Sequence, residues 1–414
     1  MKEGKDGMTE IGANWVFEIF EEKMTAAAEV DSGEVVRFHT QDCYGNLLVN
    51  EGVRRKDLVG KAPQYNPTTG PVYVRGAKRG DTLKVEILKI RLADHGTMRL
   101  TPGVGALRDA VTEEQVKILE IKDGKTCFDG VELPVEPMIG VIGVAPLGGA
   151  WDTDTPHRHG GNMDNRTIGE GCTVYFPVGQ DGAYFGLGDV HGLMGDGEVC
   201  ICGLECEAQV DVRLTVIPGR CEEWPVWEKD GLWSVMCSAE DLDEAAELAR
   251  YAMLDFLRRR TGWKVQELVM LLSLIGDTAV CQVVDPLATV RFTLSEAQNG
   301  ATAIPTGTRV KSEDGKYFNT VEYGEIAAGE TYTDVVVQAE EAGADSNGIL
   351  TGGIKILVDP IAYVASVSNT TPSTGGLDAE DDDSLTRRIY LAPSVYSCAG
   401  PRDAYEYHVR EWRS

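Results

Sequence analysis

The chain has 414 residues, 43% of them hydrophobic, which is enough to bury at least one large core and by length implies two or three domains. Its 66 acidic residues against 39 basic ones leave a formal net charge of −27, which argues against nucleic acid and anionic membrane as partners, because both are held by clustered Lys and Arg. The ten cysteines lack the close CxxC pairs of a structural zinc site, the N-terminus shows no apolar segment followed by a cleavage site, and apolar runs such as Val269–Leu272 fall far short of the roughly 20 residues that span a bilayer, so a reducing cytoplasm is expected.

From Glu34 to about Val216, short alternating runs are split by glycine turns: VVRFHT, GPVYVRGAKRGDTLKVEILKIRL, GCTVYFPV, GAYFGLGD and AQVDVRLTVI. That spacing predicts many short strands. In Gly80–Ile87 the apolar residues fall at every second position, giving one wet and one buried face. After Cys237 the period changes. Ser238–Asp241 resembles a capping box, Leu242, Ala245, Ala249, Ala252 and Phe256 keep helical spacing, and Arg258–Arg260 with Gly262 suit the helix's C-terminal end. A second helix is expected over about Val265–Leu274, then strand character from Gly276 to Phe292.

Past Phe292 the composition shifts to Thr, Gly and Ala, with strand-like TYTDVVVQAEE and GGIKILV, and tryptophan is absent between Trp263 and Trp412. The fold class predicted is α+β and β-rich: a strand-rich domain, 1–292, with a few helices at its C-terminal end, followed by a smaller, mainly β segment, 293–414.

Three of the six histidines, His157, His159 and His191, fall in the stretch from His157 to Glu198 that is also densest in Asp, Glu and Gly. On extended backbone, His157 and His159 share a face, as do Asp189 and His191, and Asp196 and Glu198. Imidazole beside carboxylate suits zinc, and carboxylates with backbone carbonyls suit calcium, so a divalent metal, zinc or calcium, is the expected cofactor. The alternative is a glycine-rich hairpin with solvated charges. Asn162 and Asp164, which follow the glycine pair, are candidates by residue type to orient a small amide, by donating to its carbonyl and accepting from its NH₂. No Gly-x-Ser-x-Gly elbow is present, and neither Cys172 nor Cys206 has an activating sequence context, which leaves a metal- or carboxylate-activated water as the better nucleophile.

NPTTGPVYVRGAKRGDTLKVEI at 66–87, EPMIGVIGVAP at 136–146, HGGNMDN at 159–165, GDVHGLMGDGEVC at 188–200 and LLSLIGDTAVCQVVDPLATVRF at 271–292 together resemble the acetamidase/formamidase family. The resemblance covers about 30–292. It implies hydrolysis of short aliphatic amides such as formamide or acetamide to the carboxylate and ammonia, a small amide as the partner, and assembly as a homo-oligomer. It also implies Asp42, His159, Asp189 and His191 as metal ligands, with Glu136 and Glu198 as candidates for the base that activates water. His157 departs from the family's usual run and is not taken as a ligand. Residues 293–414, including FTLSEAQNGATAIPTGTRVKSEDGKYF and the run from VDPIAYV to AYEYH, resemble the phage baseplate J-like family. That likeness lacks the region expected before TLS and stops at Ser414 where such proteins continue. An abrupt junction near 289–293 suggests a fusion, and the rival function is a structural baseplate component carrying an amidase-like passenger.

Overall fold

A computed structural model describes residues 2–3, 8–219, 222–295 and 302–392, apart from 328–331, 360, 362–363, 365 and 379–380, together with 402 and 409. The alternation at Gly80–Ile87 becomes part of the strand Thr82–Leu92, with Leu83, Val85 and Ile87 buried and Lys84 and Glu86 at intermediate exposure between them. The pattern slips at Leu88, an extra residue opposite the Asp211–Val212 step of the neighbouring strand, and Ile90 then returns to the core. Asp211 at this bulge accepts from Arg37 Nε at 2.6 Å and Arg91 Nη1 at 2.9 Å, which compensates its buried carboxylate.

Residues up to 297 form one compact unit and those from 298 onward another. The first is a β-rich α+β fold built on two large sheets. A ten-stranded sheet has Val35–Thr40, Ala208–Ile217, Thr82–Leu92 and Thr173–Pro177 as successive neighbours, and continues through Val226–Lys229, Leu232–Ala239, Ala288–Ser295 and Gly276–Gln282. An eleven-stranded sheet is centred on Phe185–His191, which lies between Met138–Gly143 and Glu205–Cys206 and also pairs with Thr68–Arg75. Phe38, Val85, Phe176 and Val212 of the first sheet share one buried cluster with Val72, Ile139, Phe185 and Leu187 of the second, so the sheets pack face to face.

Helix Leu242–Arg258 covers the outer face of the ten-stranded sheet. Val174 and Phe176 point into the inter-sheet core, whereas Tyr175 between them packs with Ala245, Ala249, Met253 and Phe256 of the helix. The helix cap differs from the sequence expectation. Ser238 stays in the strand Leu232–Ala239 and bonds to Thr289, and Asp241 is the N-cap, accepting from the backbone N–H of Asp243 and Glu244. Leu242 is exposed and Met253 takes the core position, while the chain leaves the helix at Arg259 rather than at Gly262. The second helix runs Val265–Ile275. No helix among the described residues is long and apolar enough to cross a membrane.

Strand Ala288–Ser295 belongs to the first unit and carries position 292 within it. The second unit pairs Thr302–Ile304 with Gly324–Ile326, and orders Val337–Ala339, Tyr317–Thr320, Arg309–Ser312 and Ile354–Leu357 in a four-stranded sheet around buried Val310, Phe318 and Ile354. Helix Asp382–Leu391 follows. Most of the final stretch of the baseplate-like resemblance, 393–401 and 403–408, lies outside the described residues.

Candidate active site

Every residue of the strand Phe185–His191 is buried, so its polar members need partners inside the protein. Phe185, Leu187 and Val190 all enter the inter-sheet core, a spacing of two and then three residues. The extra step falls at Asp189, whose φ of 53° is left-handed. Without that step Asp189 would follow Leu187 into the apolar core. With it, Asp189 and His191 come together, Asp189 Oδ1 lying 3.5 Å from His191 Nε2. Asp164 and Glu198 also hold left-handed backbone, at φ 40° and 45°. Non-glycine residues seldom adopt this conformation, and its recurrence at three buried acids concentrates backbone strain in one place.

Glu205 pairs in register with His191 on the adjacent strand and brings Oε2 within 3.2 Å of His191 Nε2. On the other side of the ring, Asp164 Oδ1 stands 3.8 Å from Nδ1. Glu198 arrives on a loop fixed to the strand Gly276–Gln282 by the Gly197 N–H, which donates to Cys281 O at 2.7 Å. Asp285 is held by Gln282, whose Oε1 accepts from the Val284 and Asp285 N–H groups. Four carboxyl groups, of Asp164, Asp189, Glu198 and Glu205, thus gather at one imidazole, and Asp285 stands behind them against Asp164.

Burial raises the Asp164 carboxyl to about 7 against the pull of His191. Burial, then the nearby Asp164, drives Glu198 and Asp285 well above the usual carboxylate range. Burial opposes charge on His191, but Glu205 and Asp189 outweigh it and favour the imidazolium. Beyond these contacts with one another, buried oxygens of Asp164, Asp189, Glu198 and Glu205, and both His191 nitrogens, have no hydrogen-bond partner among the described residues. Several buried carboxylates beside a single imidazole are costly, so this set calls for protons or a further cation. The combination of imidazole nitrogen and carboxylate oxygen fits a divalent ion.

A cavity of about 410 Å³ reaches the cluster, bordered by Tyr65, Asn66, Asp154 and Asn162 as well as by Glu198 and Asp285. Asn162 Nδ2 donates to Asp285 at 3.1 Å, leaving its buried Oδ1 without a partner. Gly140 lies behind Asp164 and Asp189: a Cβ there would stand 2.5 Å from Asp164 Oδ1 and 2.6 Å from Asp189 Oδ2.

Of the residues singled out in the sequence, the structure gathers Asn162, Asp164, Asp189, His191 and Glu198. Asp42 is buried nearby, but its Oδ1 is taken by the N–H groups of Tyr44 and Asn46, which makes it the anchor of a tight turn. Glu136 is exposed, with its backbone N–H bonded to Gly192 O, and is not part of the cluster. His159 also stands apart. Its ring packs against Phe20 at 4.9 Å, and His157 stacks on Trp151 at 4.3 Å. Cys172 and Cys206 are buried thiols pushed up to about 12 by burial, and neither borders the cavity. Sequence reading missed Glu205 and Asp285. The available signal for Glu205 was a carboxylate inside an otherwise apolar CGLEC run.

His159 is buried without a hydrogen-bond partner among the described residues, and burial lowers its pKa from 6.5 to about 3. Below pH 6.5 the unfolded chain takes up this proton before the folded one does. Stability from neutral His159 is therefore complete above that pH and is lost toward pH 3, by up to about 1.4 kcal/mol per pH unit. Urea melts of His159→Gln should show a flatter fall in stability between those limits than wild type. An unchanged acid limb would contradict the assignment.

Fold and site define a two-sheet protein with an acid-rich imidazole pocket buried at the centre of one sheet. Residues 13–151 and 148–229 match the acetamidase/formamidase family model, and the chain belongs to that family. The crystal structure of an acetamidase from Bacillus halodurans is 39% identical, with a TM-score of 0.67 over 69% of this chain and 97% of that one. The crystal structure of a predicted acetamidase/formamidase from Thermoanaerobacter tengcongensis is likewise 39% identical, with a TM-score of 0.66 over 69% of this chain and 95% of that one. A formamidase of Methylophilus methylotrophus is 25% identical over 266 residues, 48% of this chain and 63% of the relative, so the chain spans less than two thirds of that relative's length. Residues 289–376 match the barrel domain of baseplate J-like proteins.

Proposed function

We propose that the first unit hydrolyses short aliphatic amides, formamide and acetamide, to ammonia and the carboxylate at the cluster around His191. The observation that carries this reading is the convergence of buried polar groups of Asp164, Asp189, His191, Glu198 and Glu205, three of which, Asp189, Glu198 and Glu205, border the cavity. Asp189, His191 and Glu205 would hold a divalent ion, and the ring nitrogen favours zinc over calcium, which takes oxygen donors. When bound, such an ion polarises the amide carbonyl and acidifies water.

The other groups do the acid–base work. Asn162 Oδ1 accepts from the substrate NH₂. Glu198 takes a proton from water as the new C–O bond forms, and passes it to the nitrogen as the C–N bond breaks. Asp164, close to Glu198 and Asp285, keeps a proton available near neutral pH. Ammonia release from acetamide should stop after dialysis against a chelator and return with zinc; absence of ammonia from every short amide would overturn the reading.

Catalysis is assigned to the first unit, which extends past the expected boundary at 292 to 297 because strand Ala288–Ser295 is paired within its sheet, and the rest of the chain is read as a non-catalytic baseplate-like fragment joined by fusion. A structural role in a baseplate is the second reading, favoured by the match at 289–376. Association of identical chains is supported by the exposed apolar side chains Val269, Met270 and Leu274 on one helix.

A further inference from the structure

Asp189 and Glu205 are each anchored through one oxygen only. Asp189 Oδ2 accepts from Asn66 Nδ2 at 3.0 Å, and Glu205 Oε1 accepts from the Gly203 N–H at 2.8 Å. The remaining oxygens, Asp189 Oδ1 and Glu205 Oε2, both face His191 Nε2, at 3.5 and 3.2 Å, and make no hydrogen bond to any other described residue, in side chains belonging to residues only 2% exposed. Anchoring one oxygen and turning the other to the site is how outer hydrogen bonds orient a metal-binding carboxylate.

The Cys43 thiol completes this arrangement. Its Sγ and one carboxylate oxygen from each of Asp189 and Glu205 lie within 4.8 Å of one another. Cys43 borders the same cavity. It is placed by the turn that Asp42 fixes through the Tyr44 and Asn46 N–H groups, at 3.0 and 2.6 Å. Asp42 therefore acts by holding the chain that carries the sulfur.

We propose that Cys43 is a sulfur ligand of the ion held by Asp189, His191 and Glu205, which makes the site selective for thiophilic ions such as zinc, cobalt or cadmium over calcium and magnesium. The proposal rests on the ion site of the preceding reading but not on amide hydrolysis. Binding forms a metal–sulfur bond and releases the thiol proton to solvent. Thiolate donors favour borderline and soft cations, and hard cations take oxygen.

The test loads the chelator-treated, full-length chain with Co²⁺. Wild type should show a thiolate-to-cobalt charge-transfer band in the near ultraviolet, and Cys43→Ser should lose it. Glu198→Gln should keep the band while losing ammonia release, which separates the metal site from the amidase reading. A band that survives in Cys43→Ser, or no band in cobalt-loaded wild type, overturns the proposal. Alkylation of wild type gives a second readout that does not depend on the variant folding. Saturating zinc should protect Cys43 from iodoacetamide, read by peptide mass spectrometry, whereas saturating calcium should not. Equal alkylation of Cys43 with and without zinc would also overturn it.

Discussion

Glu198→Gln should leave the fold intact and slow ammonia release from acetamide by about 10²- to 10⁴-fold, the usual contribution of a positioned acid–base group. The side chain is 7% exposed, borders the cavity and has one buried oxygen without a partner. Burial and Asp164 raise its proton affinity, and a cation bound beside it would lower that affinity again, leaving a carboxylate that takes the proton from water and returns it. The amide replacement keeps volume and shape but cannot accept the proton from water. Exposed Glu136, the other glutamate favoured by the sequence, supplies the control: Glu136→Gln should leave the rate unchanged. Equal losses in the two variants, read from steady-state ammonia assays with circular dichroism as a check on folding, would contradict the assignment.

Gly140→Ala should lower kcat/KM by roughly 10²-fold, because displacement of reacting groups by about 1 Å has that effect. The added methyl would lie 2.5–2.8 Å from Asp164 Oδ1, Asp189 Oδ2 and Asp189 O. None of these can give way easily: Gly140 lies in a strand paired on both sides, and Asp164 and Asp189 are themselves buried. Overpacking should also reduce stability by about 1–3 kcal/mol, measurable by urea denaturation. A fully active Gly140→Ala would show that the two carboxylates need not hold these positions.

The β-rich class was legible because alternation in stretches such as Gly80–Ile87 reports which face is buried. The site was legible only in part. Enrichment in His, Asp and Gly pointed to the stretch containing Asp164, Asp189, His191 and Glu198. The facing rule on an ideal strand paired Asp189 with His191, yet their meeting depends on the left-handed Asp189, which local sequence does not reveal. His159 shares residue type and neighbourhood with His191 but packs among aromatic rings, and Glu136 lies beside a buried strand while facing solvent. Glu205 and Asp285 escaped notice because their value is non-local: one pairs across strands and the other is carried in by Gln282 more than 90 residues after His191.

Ammonia release from acetamide by His191→Ala and His159→Gln, measured beside wild type in the full-length chain, tests the central claim most directly. The structure predicts an active wild type, an activity loss of about 10²-fold or more for His191→Ala, and retained activity in folded His159→Gln. Activity that survives loss of His191 but vanishes with His159, or a wild type that releases no ammonia, would contradict it.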